Sequence, residues 1–172
     1  TDALRAEIGD PSGLRFVESL DDVEAPVDLA LVVAHPADTL ATVRSLARLG
    51  VRGVVVSGPG YAETGAEGLA LQREIVRTAH AAGMRVVGPG SYGMFARRPE
   101  GVFNASLAPV LPPAGTVGIF CQSAPMAVTV LATVWRRGVG VSSFVSAGNR
   151  ADVSGNDLMQ FWQDDESTDV AG

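Results

Sequence analysis

The sequence predicts an α/β protein in which parallel strands are joined by helices. Short apolar runs such as VDLALVV at 27–33 are typical of buried strands, and they alternate with longer segments of helical periodicity. Gly50 and Gly83 close the first two helical segments. Strands that alternate with helices of this length indicate right-handed crossovers and a parallel sheet. In the first half of the chain, the predicted strands are 27–33, 52–57 and 85–87, and the predicted helices are 37–49 and 66–82.

The composition is that of a globular protein with a core of its own. Of 172 residues, 47% are hydrophobic and 19% are charged, and a chain of this size hides roughly 70% of its unfolded surface on folding. No apolar run approaches the ~18 residues of a membrane span, and residues 1–13 lack the basic and apolar stretches of a secretory signal. We therefore expect a cytoplasmic protein without a membrane role.

Charge and residue usage disfavour several other classes. The net charge of -6 argues against nucleic-acid binding, which depends on cationic patches. All thirteen basic residues are arginine, so this chain has no lysine for a Schiff base or a P-loop. One cysteine, Cys121, and two distant histidines, His35 and His80, are too few for a structural zinc site. We expect no metal.

A proline-rich segment divides the sequence into two units. Residues 108–115 read APVLPPAG, where three prolines and a glycine interrupt all periodicity. We expect a first domain at 1–108, a connector at 109–115 and a second domain at 116–172. The second domain is predicted to contain strands 116–120 and 141–146 and helices 124–137 and about 156–163. Two strands are too few for a sheet of ordinary size, so the chain is interpreted as part of a longer protein.

Five loops follow the predicted strands and are the candidate ligand contacts. Ligands of open parallel sheets bind outside the carboxyl ends of the strands. Glycine in such loops lets the backbone approach a ligand, although it can equally serve only to make the turn. The loops are 34–36, 57–61, 88–93, 121–125 and 147–152.

The loop at 121–125 has three interpretations. Ser123 and Pro125 are placed to begin a helix, and the amino end of a helix attracts anions. Alternatively, Cys121 or Ser123 is a nucleophile on a sharp turn, but neither histidine lies where its base would normally be. Capping of the helix alone is the third interpretation.

Four other features have less specific interpretations. His35 either contacts a ligand or hydrogen-bonds only its own loop. His80 suits the negative end of a helix dipole and receives no catalytic role. Trp135 and Trp162 are predicted to be core residues. The acidic run 164–166 is predicted to be a solvated helix end, with metal binding as a weaker alternative.

Four short motifs resemble, in order, those of one enzyme superfamily. GYAETG at 60–65 is similar to G-F-x-E-x-G, and GPGSYG at 88–93 is similar to G-P-N-C/S-x-G. QSA at 122–124 is similar to Q-S-G, and SAGNRADVS at 146–154 is similar to S-x-G-N-x-x-D-x-S. Together they resemble the NDP-forming acyl-CoA synthetases, which include the alpha subunit of succinyl-CoA synthetase and ADP-forming acetyl-CoA synthetase. The resemblance covers nearly the whole chain.

The resemblance implies a Rossmann-like CoA-binding domain without its opening strand, followed by the start of a flavodoxin-like succinyl-CoA-ligase domain. In this family, an acyl phosphate and CoA are exchanged with ATP or GTP through a phosphorylated histidine. That histidine would lie outside this chain, as would the site for ATP or ADP. The implied partners are CoA, a small carboxylic acid and an ATP-grasp subunit or domain, within an oligomer. CoA contacts are implied at Ala34, His35, Pro36, Ser57, Gly58, Gly88, Pro89 and Gly90. With Ser123 at the helix end that faces the phosphohistidine, catalytic roles are implied for Gln122, Ser123, Asn149 and Asp152.

The sequence departs from the family at two of these motifs. Gly90 stands where the family has asparagine, and Ala124 with Pro125 replaces a glycine, which removes backbone freedom and one hydrogen-bond donor. Two functions therefore stay open, since a fold alone does not decide between them. The chain is part of an acid–CoA ligase, or it is a degenerate domain that senses CoA or acyl-CoA and regulates an attached acyltransferase. The isolated chain is expected not to catalyse.

Overall fold

Three parallel strands form the first of two sheets. The structure is a computed structural model and describes residues 15–24 and 26–172. Helices α1 (Pro36–Arg48) and α2 (Ala66–Ala81) make the crossovers between the strands of this sheet. In sheet order, the strands are β1 (Leu29–Val33), β2 (Gly53–Ser57) and β3 (Arg85–Val87). All pairings between them are parallel, which confirms the predicted α/β class.

Helices α1 and α2 bury one face of this sheet. Val43 and Leu46 of α1, with Ile75 and Ala79 of α2, are buried in one cluster with the apolar strand residues. Spacings of three and four residues place side chains on one face of a helix. Full burial of a valine, leucine or isoleucine stabilises the fold by about 1.5–3 kcal/mol, so this packing holds both helices against the sheet.

The second sheet is mixed and contains five strands. In chain order these are β4 (Gly93–Arg98), β5 (Gly101–Ser106), β6 (Ala114–Cys121), β7 (Val141–Ser146) and β8 (Val170–Ala171). Their order across the sheet is β5-β4-β7-β6-β8. Strand β6 pairs in parallel with β7 and β8, whereas β4 pairs antiparallel with β5 and β7. Helix α3 (Ala124–Arg136) joins β6 to β7, and α4 (Gly155–Gln163) follows β7.

The prediction of only two strands in the second unit is wrong. Strand β4 ends in two arginines and most of β5 is exposed, so neither shows the apolar run of a buried strand. This hairpin precedes the proline-rich segment but belongs to the second sheet, so the change of sheet lies between Val87 and Gly93. The domain boundary at 109–115 stays a prediction. Within that segment, the Pro112 carbonyl accepts a hydrogen bond of 2.5 Å from Arg97 Nη2 of β4.

Apolar side chains from both sheets meet in one shared core. The buried members of this cluster are Val55, Val87, Val145, Leu158 and Trp162. The indole N–H of Trp162 donates to Ser143 Oγ at 2.8 Å, which confirms the prediction that Trp162 is a core residue. The two sheets are therefore packed together rather than joined only by the chain.

Two other predictions are corrected by the burial of the side chains. Trp135 is 52% exposed in the last turn of α3, beside Val110, so it is not a core residue. The side chain of Asp165 is only 8% exposed, because it accepts hydrogen bonds from Arg98 and Thr168. The acidic run 164–166 is therefore only partly a solvated helix end.

Membrane spans and metal-ligand clusters are both absent from the described residues. No helix within 15–24 and 26–172 is long and apolar enough to cross a membrane. The same part of the chain contains no group of three histidine, cysteine, aspartate or glutamate side chains that could hold a metal ion. The prediction about a secretory signal concerns residues 1–13, which lie outside the described residues.

Candidate functional site

The loops after the first three strands lie at one edge of the first sheet. Val33 pairs with Ser57 and Val55 pairs with Val87, so these parallel strands end at nearly the same level. The carboxyl edge of such a sheet is where ligands bind. This edge brings together the residues proposed to contact CoA, namely Ala34, His35, Pro36, Ser57, Gly58, Gly88, Pro89 and Gly90.

Two glycines at this edge have backbone conformations and close contacts that a larger residue could adopt only if neighbouring atoms moved. Gly60 and Gly88 have φ values of 114° and 107°, in the region that favours glycine. A Cβ on Gly88 would overlap the carbonyl oxygen of Val56, and a Cβ on Gly60 would overlap the ring of Pro36. The loops are therefore packed closely against the sheet and against each other.

His35 caps helix α1. Its Nδ1 accepts a hydrogen bond of 3.2 Å from the Ala37 N–H, and its carbonyl oxygen accepts one of 3.2 Å from Thr39 Oγ1. Of the two interpretations of His35, the structure thus shows the hydrogen bond within its own loop. The Thr39 hydroxyl also lies 2.8 Å from the Tyr61 hydroxyl, which links the first turn of α1 to the loop after β2. Burial raises the pKa of Tyr61 and keeps its hydroxyl protonated.

A depression of about 360 Å³ opens where the loops of the second sheet meet the loop after β3. Gln122 and Ser123 come from the loop after β6, Asn149 from the loop after β7, and Gly90 from the loop after β3. Four of the residues selected from the sequence are thus brought together. The full lining consists of Gly90, Gln122, Ser123, Ala124, Met126, Gly148 and Asn149.

Ser123 begins helix α3, but its side chain does not cap the helix. The backbone of Ser123 is extended and its hydroxyl makes no capping hydrogen bond, while Pro125 lies in the first turn as predicted. Cys121 is buried, and its thiol donates to the Ser123 carbonyl oxygen at 3.2 Å. Burial raises the pKa of Cys121, so the thiol is not activated as a nucleophile.

Glu63 stands beside this region, although the sequence analysis did not select it. Its Oε1 accepts from the N–H groups of Gly60 at 2.6 Å and Tyr61 at 3.2 Å, and its Oε2 accepts from the Asn149 amide at 2.6 Å. Desolvation by the neighbouring loops alone would raise the pKa of Glu63, but these hydrogen bonds lower it to about 2. Glu63 is the acidic residue of GYAETG, so the motif itself carried the signal.

Asn149 connects the second sheet to the first. Its Nδ2 donates to Glu63 Oε2 at 2.6 Å and to Gln72 Oε1 at 3.0 Å, and its backbone N–H donates to the Pro89 carbonyl at 2.8 Å. A Cβ on the preceding residue, Gly148, would overlap the Pro89 carbonyl oxygen. The loop after β7 is therefore held in direct contact with the loop after β3.

Asp152 lies at the amino end of β3 and is not part of the lining of the depression. Its carboxylate accepts from the Val86 N–H at 2.8 Å and pairs with Arg85 Nε at 2.9 Å and His80 Nε2 at 3.1 Å. Burial would raise the pKa of Asp152, but the hydrogen bonds from these three residues lower it. The structure shows a side chain that joins β3 to the loop after β7, and its catalytic role stays a prediction.

A parallel sheet with a glycine-rich ligand edge, packed against a second α/β unit, defines a cofactor-binding protein of the Rossmann type. Residues 6–97 match the family described as a CoA binding domain, and residues 114–172 match the succinyl-CoA ligase like flavodoxin domain. The chain belongs to this CoA-binding family, within the NDP-forming acyl-CoA synthetase superfamily. The resemblance carried by the four motifs is confirmed.

The proteins most similar to this chain include ADP-forming ligases. The ADP-forming acetate–CoA ligase I of Archaeoglobus fulgidus is 37% identical, over 93% of this chain and 22% of its own length. The alpha subunit of ADP-forming acetate–CoA ligase II from Pyrococcus furiosus is 32% identical, over 88% of this chain and 33% of its own length.

A solved structure shows the same fold at similar identity. It is the dinucleotide-forming acetyl-coenzyme A synthetase 1 of Ca. Korarchaeum cryptofilum in complex with phosphate and ADP. It superimposes with a TM-score of 0.85 at 32% identity, and the match covers 92% of this chain and 33% of that one. The chain thus spans 22% to 33% of the length of these three relatives.

Proposed function

We propose that this chain is the CoA-binding part of an NDP-forming acid–CoA ligase. The observation that carries the proposal is the meeting of loops from both sheets at one depression, beside the glycine-rich edge of a CoA binding domain. The complete ligase converts a carboxylic acid, CoA and ATP into acyl-CoA, ADP and phosphate. All three of the relatives described above carry names of ligases or synthetases, which supports this reaction class.

CoA is proposed to bind along the edge formed by the loops after β1, β2 and β3. Helix α1 begins at this edge with Pro36, and the positive end of the helix dipole favours a phosphate group nearby, although the Ala37 N–H is already bonded to His35. Gly58 and Gly88 have positive φ values, which allow the chain to turn sharply at this edge, and Gly58 is the more exposed of the two. The proposed contacts are Ala34, His35, Pro36, Ser57, Gly58, Gly88, Pro89 and Gly90.

The phosphoryl group is proposed to be held in the depression at the amino end of α3. A helix end of this kind favours an anion by about 1 kcal/mol. Because the Ser123 hydroxyl makes no capping hydrogen bond, it can donate to a phosphoryl oxygen, and Gln122 lies beside it. A phosphohistidine supplied from outside this chain would transfer its phosphoryl group here to the carboxylic acid, and the CoA thiol would then displace phosphate from the acyl phosphate to give acyl-CoA.

The nucleotide and its binding segment are proposed to come from outside this chain. The P. furiosus relative is named an alpha subunit, and the Ca. Korarchaeum relative is described with phosphate and ADP. Both observations support an ATP-grasp subunit or domain as the partner that binds ATP or ADP. The small carboxylic acid and the oligomer belong to the same proposal.

The reverse reaction gives a direct test of the proposal. The full-length protein is incubated with acetyl-CoA, ADP and phosphate, and ATP formation is followed by a coupled assay. We expect ATP and free CoA in equal amounts, and no ATP when phosphate is omitted. Other aliphatic and aromatic CoA thioesters are compared in the same assay to identify the acid.

A regulatory domain gives a different result. Such a protein binds CoA or acyl-CoA in calorimetry but forms no ATP with any thioester, and an attached acyltransferase changes its rate when CoA is added. That result would replace the ligase with the sensing function. Absence of both ATP formation and CoA binding would contradict both functions.

A further inference from the structure

A chain of hydrogen bonds fixes the side-chain amide of Asn149 between two acceptors. The carboxylate of Glu63 is held by the N–H groups of Gly60 and Tyr61, and its second oxygen lies 2.6 Å from Asn149 Nδ2. Gln72, a buried residue of α2, places Oε1 at 3.0 Å from the same nitrogen. The amide is therefore in contact with two different elements of the first unit.

The chemistry of these partners determines which way the amide faces. An ionised carboxylate only accepts hydrogen bonds, so the Asn149 atom beside Glu63 must be the nitrogen. The Gln72 atom also accepts from the Ala62 N–H at 3.4 Å, which identifies it as the oxygen and again requires a donor from Asn149. Both hydrogens of the Asn149 amide are thus used, and Oδ1 is turned away from both partners.

The free side of this amide faces the depression. Asn149 Oδ1 lies 3.9 Å from the position that a Cβ on Gly90 would take, and both residues line the depression. Among the residues that the structure describes, none donates a hydrogen bond to this oxygen. The depression therefore has an acceptor at Asn149 and, at the Ser123 helix end, a position that favours an anion.

We propose that Glu63 is a positioning residue that fixes Asn149 with Oδ1 toward the depression. There Oδ1 accepts a hydrogen bond from an N–H or O–H group of the bound reactant, next to the anion held at the Ser123 helix end. This inference rests on the proposed ligase function for its kinetic consequence, but not for the orientation of the amide. Glu63 itself does not touch the reactant.

The kinetic test compares two single variants with the double variant in the full-length protein. Glu63→Gln lets the Asn149 amide turn over, and Asn149→Asp places two carboxylates in contact. We expect each to lower kcat by about 10-fold or more, the scale on which residues supporting a ligand act, while KM for CoA stays within about threefold. We expect kcat to fall because the oriented acceptor at position 149 is lost, and KM for CoA to be kept because the proposed CoA contacts are unchanged.

The double variant is the decisive measurement. With both substitutions, the glutamine at 63 can donate to the aspartate at 149, and Gln72 can turn its nitrogen toward that aspartate at the loss of the long hydrogen bond from Ala62. An oxygen of residue 149 then again faces Gly90. We expect kcat of the double variant to exceed that of either single variant, which is a measurable coupling between the two positions. A double variant no faster than the slower single variant would overturn the proposal.

A spectroscopic measurement separates this inference from the ligase function. The full-length protein is labelled with ¹⁵N-asparagine, and the side-chain amide signal of Asn149 is assigned by its loss in Asn149→Asp. We expect a resonance protected from exchange with water in the wild type and an exchanging one in Glu63→Gln. This result holds even if the wild type forms no ATP, whereas an unprotected wild-type amide would refute the orientation.

Glu67→Gln is the matched control. Glu67 is an exposed acid in the first turn of α2, and its substitution by glutamine removes the same charge near the same loop. We expect unchanged kcat and an unchanged Asn149 signal for this control. Because Glu63 is itself exposed, thermal melting should show that Glu63→Gln is folded. A folded Glu63→Gln variant with the wild-type kcat would also overturn the proposal.

Discussion

At the scale of single residues, Ser123 is the side chain of the loop after β6 that is proposed to contact the phosphoryl group. Its neighbour Cys121 is buried with a raised pKa, and Pro125 has no N–H to donate. The Ser123 hydroxyl, by contrast, lines the depression and is not used as a cap. The substitution of this one residue therefore tests the anion site without removing a hydrogen bond on which the helix depends.

Ser123→Asp is expected to lower the turnover of the full-length ligase by at least about 10-fold, because a fixed negative charge would occupy the position that favours a phosphoryl group. Affinity for CoA, measured by calorimetry, should change little. Ser123→Asn is the matched control, since asparagine begins helices about as well as aspartate but adds no charge. Equal turnover for the aspartate and asparagine variants would remove the charge argument and leave Ser123 a structural residue.

The contact between the loops after β3 and β7 is the point at which the elements of the two sheets depend most closely on each other. Two backbone hydrogen bonds run between these loops, from Asn149 to Pro89 and from Ala151 to Gly88, and a third runs from Val153 to Val86 of β3. Gly148, at φ 55°, has no room for a side chain against Pro89. Any atom added there must push the two loops apart.

Gly148→Ala is expected to lower the free energy of unfolding by about 2–3 kcal/mol, because left-handed strain and steric overlap act together. Gly83→Ala provides the matched control. Gly83 has φ 72° but nothing within 4 Å of its Cβ position, so only the strain of about 1 kcal/mol applies. Urea unfolding of the full-length variants measures both values, and equal losses would show that the contact with Pro89 can relax.

At the scale of elements, the sequence predicts what apolar periodicity specifies. The three parallel strands and the four helices agree with their predicted ranges to within a few residues, because buried runs and helical spacing are local signals. The hairpin β4–β5 was missed because β5 is largely exposed and because the pairing of β4 with β7 joins residues about fifty positions apart, such as Gly93 with Ser146. The local sequence of such an exposed strand does not specify which distant strand the hairpin pairs with.

The site was predictable to the extent that its chemistry lies within motifs. Gly90, Gln122, Ser123 and Asn149 were selected from motifs and lie together in the depression. The partnership of Asn149 with Glu63 spans 86 positions, and the ion pair of Asp152 with Arg85 spans 67, so neither could be read from local spacing. Both depend on how the two sheets pack.

On the scale of the whole molecule, carboxylates that join distant segments make stability sensitive to acid. The pKa values of Glu63 and Asp157 are lowered to about 2, and that of Asp152 is lowered as well. In the unfolded chain the pKa values of these groups are about 4. Between about pH 4 and pH 2 these groups bind more protons in the unfolded state than in the folded state. Their contribution to the free energy of unfolding should therefore fall as the pH falls through this window and be fully present above it.

Asp152→Asn tests this dependence. The variant should lose about 2 kcal/mol at pH 7, the value of hydrogen bonds to a charged group, and should lose less than the wild type on going to pH 3. Urea unfolding of the full-length protein at the two pH values measures the difference, with the exposed Asp164→Asn as control. If the free energy of unfolding of Asp152→Asn decreases between pH 7 and pH 3 as much as that of the wild type, the Asp152 carboxylate does not contribute to the acid sensitivity.

Because Trp135 is exposed and Trp162 is buried, the fluorescence of these two tryptophans reports on different parts of the chain. Trp162, sealed between the sheets and bonded to Ser143, should fluoresce at shorter wavelength and resist quenching by acrylamide. Trp135, half exposed on α3, should emit at longer wavelength and be quenched freely. In a Trp135→Phe variant, the emission from this chain would therefore come from the interface alone. The wavelength of maximum emission would then show whether the two sheets stay in contact when CoA is added.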